Sequence, residues 1–144
     1  MSDDRTPIVI GVGQRVQRDD DPREALGPLA MLEQVARQAA RDAQAGDAIL
    51  CELDAIALLN VFGGGRGMQN APRLLDERLG ARAKKEYVGE IGGQIGVPLA
   101  NFVAERIAKG EVRLALIAGS NNLRARRGLD ESDLRGFTVT GGLP

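Results

Sequence analysis

Three helix-length stretches of this chain each open on a proline and close on a glycine, and a short apolar run follows each of them. The first, "PLAMLEQVARQAARDAQAG", lies between Pro28 and Gly46, and the second, "PRLLDERL", is bounded by Pro72 and Gly80. The third runs from about Pro98 to Lys109 and is closed by Gly110. Proline suits the first helical turn, where its missing N–H would be unpaired anyway, and glycine enters the left-handed region at a helix end without a steric penalty. The interiors agree: Leu29, Leu32, Val35, Ala36, Ala39, Ala40 and Ala43 follow helical spacing, and Leu99, Phe102, Val103 and Ile107 line one face of the third helix. The runs that follow are Leu53–Phe62, Lys85–Ile91 and Val112–Gly119. A fourth, "PIVIGVG" (Pro7–Gly13), precedes the first helix and is apolar throughout, as a strand buried on both faces would be. The order βαβαβαβ predicts an α/β fold in α/β/α layers around a mainly parallel sheet.

Composition narrows the chemistry. A length of 144 residues suits one core, and with aromatics at 3% that core must be built from Ala, Val, Leu and Ile. The formal charge of −1 offers no electrostatic footprint for nucleic acid or an anionic membrane. There is no histidine, so Ser–His and Cys–His pairs and the commonest zinc sites cannot be assembled from this chain alone. No metal or cofactor is expected. A single cysteine precludes an intrachain disulfide, no apolar run approaches a membrane span, and "MSDDRTPIVIGVG" lacks a signal-peptide layout, so a cytoplasmic setting is expected. From Asn121 the alternation lapses. Residues 1–122 are expected to form the α/β core, and residues 123–144 a loop or tail, or the start of a truncated segment. The sheet would then need another segment or chain to cover it.

In parallel sheets ligands bind beyond the carboxyl ends of the strands. Four segments qualify here: "GVGQRV", "FGGGRG", "IGGQIG" and "AGSNN". In the first, Gly11 and Gly13 invite a dinucleotide reading, but Val16 replaces the third glycine and a charged loop intervenes before the helix. Gly63, Gly64, Gly65, Arg66 and Gly67 could wrap a phosphate with Arg66 as counter-charge, but they lack the GK[ST] ending of a P-loop and read rather as a surface loop. Cys51 has Asp47, Glu52 and Asp54 nearby rather than a basic partner, and reads as a small buried hydrophobe. The Arg124, Arg126, Arg127 cluster could hold a phosphate, or stand solvated on a loop.

The third segment is the most specific. "IGGQIGVPLANFVAERIAKGEVRLALIAGSNN" is a strand end, a glycine corner, a helix, a "GE" turn and a strand ending in a small-residue tip. Together with "TPIVIGVGQ" and the first helix, Thr6 to Asn122 resembles the first half of the N-terminal domain of the thiolases, the acetyl-CoA acetyltransferase family, and within it the sterol-carrier-type, thiolase-like branch. Matched without a gap on "KGEVRLALIAGS", Gly96 falls on the family's glycine and Gly93 on its nucleophilic cysteine.

The resemblance implies an acyltransferase-family protein of acyl-CoA and lipid metabolism. The departure implies that no residue at this corner can form the family's thioester, so no catalytic residue is assigned. What remains is a possible binding shape for an acyl-CoA-type thioester, made by Gly92, Gly93, Gln94, Ile95 and Gly96 with Asn121 and Asn122. Whether it binds or is only a vestigial turn stays open at this point. The resemblance also implies a homo-oligomer, such as a homodimer paired near Lys85–Ile91, or a C-terminal thiolase half as partner. A non-catalytic subunit that stabilises a catalytic partner is the alternative, and a Rossmann-type nucleotide binder using Gly11 and Gly13 is a further one.

Overall fold

The computed structural model describes residues 4–18, 26–60, 71–91 and 94–120. In order, these form helix α1 (Pro28–Asp42), a 3₁₀ turn (Asp47–Glu52), strand β1 (Ala55–Asn60), helix α2 (Ala71–Leu79), strand β2 (Lys85–Ile91), helix α3 (Gly96–Ala108) and strand β3 (Ala115–Ala118). The sheet is parallel, in the order β2-β1-β3. The α/β layering and the parallel sheet expected from the alternation are therefore present. The division expected at residue 122 lies outside the described residues.

β1 is the central strand, and Ala55, Ile56, Ala57 and Leu58 are fully buried. Successive side chains of a strand point to opposite faces, so this run feeds two cores. Ile56 and Leu58 join Leu32, Ala36 and Ala40 of α1 and Leu75 and Leu79 of α2 on one face. Ala57 and Leu59 meet Leu99, Phe102 and Val103 of α3 on the other. At the amino ends of the strands Asp54 ties all three together. Its carboxylate accepts from the backbone N–H groups of Arg113 (2.8 Å) and Leu114 (3.2 Å), and its carbonyl accepts from Lys84 and Lys85. On the outer surface Glu33 joins α1 to α2 through Arg78 (3.3 Å), and Arg37, paired with Glu33 within α1 (3.1 Å), also donates to the Arg78 carbonyl.

One expected strand is absent. Pro7–Gly13 forms no strand, and it is not buried: Ile8 is 74% exposed, Val9 83% and Val12 67%. The segment lies along α1 instead, running against its direction, with Gly11 against Ala39 and Ala43 and Gly13 against Val35 and Ala39. A side chain at either glycine would collide with the helix backbone, so the two glycines serve close packing. The N–H groups of Val12 and Gln14 donate to the side chains of Asp42 and Gln38, both at 2.8 Å, where a sheet neighbour would otherwise accept them. An apolar run identifies a β-prone segment, but pairing is decided by which strand edge stands beside it.

Boundaries shift in smaller ways. α1 ends at Asp42; the first residue after it at positive φ is Gln44 (60°), and Gly46, also at positive φ (66°), opens the 3₁₀ turn. Gly80 and Gly110 do adopt positive φ where α2 and α3 stop. α2 starts at Ala71, and α3 starts two residues before Pro98, at Gly96. β1 and β3 are shorter than the runs that predict them, and Phe62 lies outside the described residues. No helix among the described residues is long and apolar enough to cross a membrane.

Candidate functional site

The topology itself marks one place for a ligand. From β1 the chain leaves to α2 on one face of the sheet, and from β2 it leaves to α3 on the other. In parallel sheets ligands sit beyond the carboxyl ends of the strands, and the order β2-β1-β3 reverses between β1 and β3. Asn60 and Ile91, which stand side by side in the β1–β2 register, end β1 and β2 at that same edge of the sheet, and α3 begins at Gly96, five residues past β2.

Of the corner residues, Gly92 and Gly93 lie outside the described residues, as do Asn121 and Asn122 beyond β3. Gln94 is exposed in the turn and Ile95 is half-buried. Gly96 is the first residue of α3, so it belongs to the helix and not to the turn before it. No side chain caps this helix end, no acidic residue occupies its first turn, and the first intrahelical bond described runs from Leu99 N–H to the Ile95 carbonyl. Pro98 has no N–H, which leaves the amides of Gly96 and Val97 unpaired among the described residues. Such amides, with the positive end of the helix dipole, favour a partial negative charge in front of them. Space is available: a side-chain atom built on Gly96 would meet nothing within 4 Å.

A residue that the sequence reading passed over holds the corner in place. Gly89 sits in β2 where a Cβ would stand 3.0 Å from the Ile95 side chain, so Ile95 folds back onto the strand only because position 89 is bare. Its signal was a glycine inside a strand, which marks a close approach. Gly119, at the end of β3, similarly lets Leu59 of β1 come close. Beside it Ser120 donates to the Pro28 carbonyl (3.4 Å), bringing the start of α1 to the same end of the sheet.

Carboxyl groups with shifted affinity for protons lie elsewhere, at the far end of α3. There the hydrogen bond from Arg106 (3.0 Å) holds the Glu111 carboxyl below its ordinary range, and that from Lys109 (2.7 Å) does the same for Glu105. Arg106 also lies over the Phe102 ring, which meets Tyr87 edge-on. These are structural contacts around the α3 core.

The other candidates resolve differently. Gly11 and Gly13 face the carboxyl half of α1, not a helix N-terminus, so the geometry that a dinucleotide fingerprint needs is absent. Cys51 is exposed and not a buried hydrophobe, because Leu50 and Leu53 take the inward positions around it. The glycine run with Arg66 and the Arg124, Arg126, Arg127 cluster lie outside the described residues.

No protein-family model matches the chain, and no curated protein does. Among solved structures, the chain is similar to a monomeric SCP2-thiolase-like protein type 1 from Mycobacterium smegmatis, with 30% identity over 84% of this chain and a TM-score of 0.71. The chain spans 24% of that protein's length. Layer order, parallel sheet and this likeness agree: the described residues have the fold of a thiolase-like half-domain.

Proposed function

We propose that the chain is a thiolase-like module of acyl-CoA and lipid metabolism that binds an acyl-CoA-type thioester without a nucleophile of its own. The observation that carries this reading is the start of α3, which has no side-chain cap and is open in front of Gly96, following β2 at the carboxyl edge of the sheet. The likeness to an SCP2-thiolase-like protein supports it. The amides of Gly96 and Val97, which have no acceptor among the described residues, would donate to the thioester carbonyl, with Gln94 within the same turn; Gly92, Gly93, Asn121 and Asn122 would complete the pocket. With glycine at position 93 the module would hold a thioester rather than exchange its acyl group. A cytoplasmic location fits this role.

Isothermal titration with free coenzyme A, acetyl-CoA and a long-chain acyl-CoA tests it. Saturable heat with the thioesters is expected, weakened at least tenfold by Gly96→Leu, which fills the open space. The absence of heat with every thioester would remove the reading.

A second reading is favoured by a separate observation. Ile8, Val9 and Val12 are exposed on an extended segment, and β2 and β3 each have one unpaired edge among the described residues. A non-catalytic subunit that pairs with a catalytic thiolase, with a second copy of itself, or with a C-terminal thiolase half would cover such surfaces. Light scattering on the chain separates the two: a concentration-independent monomer that binds thioesters supports the first reading, and a ligand-indifferent oligomer supports the second.

A further inference from the structure

We infer that the outer face of α1, together with residues 14–15, forms an anion site for a small phosphorylated ligand, distinct from the corner after β2. A cavity of about 480 Å³ lies there, lined by Gln14, Arg15, Gln34, Arg37, Gln38 and Arg41. Four of these recur at positions i, i+3, i+4 and i+7 of one helix, on the face opposite Leu32, Ala36 and Ala40, so they form a continuous stripe turned away from the sheet. Solvated helix faces usually mix both signs of charge. This stripe holds only arginine and glutamine, and among the described residues no carboxylate lines the cavity.

The opposing wall is set in position. Gly11 and Gly13 bring the backbone onto α1, and the bonds from Val12 to Asp42 and from Gln14 to Gln38 hold it there. The three guanidinium groups then divide by role. Arg37 is paired with Glu33 and Asp47 and also donates to the Arg78 carbonyl, so its charge is spent on the fold. Arg15 and Arg41 have no partner among the described residues, and neither does the side chain of Gln34. Two guanidinium forks that have no partner among the described residues, beside neutral donors, match the paired oxygens of a phosphate. The volume is that of a small-molecule site and exceeds what one phosphate fills, which suits a pyrophosphate or a phosphate ester with an organic part.

The phosphates could be those of a free metabolite or of a coenzyme A thioester, and the test separates them. The 144-residue chain is titrated with sodium pyrophosphate, and separately with coenzyme A, at constant ionic strength. The side-chain amide signals of Gln34 and Gln38 are followed by NMR. Saturable binding of pyrophosphate at about 1 mM or tighter is expected, with both signals shifting. The double variant R15Q/R41Q, which alters only exposed side chains, is expected to weaken it at least tenfold. The triple variant R124Q/R126Q/R127Q is expected to leave it within twofold. Coenzyme A binding lost in R15Q/R41Q but kept in Gly96→Leu would assign the phosphates to the thioester, and pyrophosphate binding alone would assign a free ligand. Non-saturable shifts, or binding that survives R15Q/R41Q, would overturn the site, whatever the outcome at the corner.

Discussion

Backbone conformation at single positions sets several of the features that matter here. Gln44 holds φ at 60°, a region that carries a steric cost for any residue with a Cβ. Gln44→Gly is expected to stabilise the fold by about 0.5–1 kcal/mol, read as a higher urea midpoint at unchanged slope. Gly89 is the opposite case, since its bare Cα is filled by Ile95. Gly89→Val is expected to displace Ile95 and cost about 1–3 kcal/mol through overpacking. If the corner binds a thioester, affinity should fall further than stability, which titration and urea unfolding of the same variant would show.

Elements are joined at two polar points rather than by apolar packing alone. Asp54 satisfies amides of the segment leading into β3, while its own carbonyl receives the start of β2. Asp54→Ala removes an ionised acceptor shared by two backbone donors. A loss of about 1–3 kcal/mol is expected, with amide exchange faster at Arg113 and Leu114 than elsewhere in the sheet. At the other junction Arg106 leaves α3 to bind Glu111 in the turn before β3. Because that bond lowers the folded-state affinity of Glu111 for a proton, its stabilisation is present above the ordinary glutamate range and lost as pH falls through the lowered value. The melting-temperature difference between the parent chain and Glu111→Gln should thus be largest near neutrality and vanish in acid.

At the scale of the molecule, the described residues form a three-stranded sheet covered on both faces, with an apolar segment left outside it. Replacing Ile8, Val9 and Val12 together by threonine is expected to change the stability of the isolated chain by less than about 1 kcal/mol, because little apolar area is buried there. Leu58→Ala, at the centre of the sheet, is expected to cost about 2–5 kcal/mol in the same denaturant series. A large loss from the threonine variant would mean that the segment is covered in solution. The accompanying light-scattering mass would say whether a second copy covers it.

How much was legible follows from how local each cause is. Proline-to-glycine punctuation and periodic apolar faces act within one element, and they were enough to place α1, α2, α3 and the strands after them to within a few residues. Gln44 escaped because a left-handed residue other than glycine leaves no mark in sequence, and the start of α3 at Gly96 escaped because Pro98 suggested a later one. The corner after β2 was legible as a glycine-rich bend before a helix. That the start of α3 comes at the same edge of the sheet as the ends of β1 and β3 depends on the parallel strand order, a property of the sheet and not of any residue. Residues 7–13 are the plainest division: their composition states that they are β-prone and apolar. Whether they pair, and with what, was decided by two bare glycines against α1 and by side-chain acceptors at Gln38 and Asp42 that replace the sheet edge.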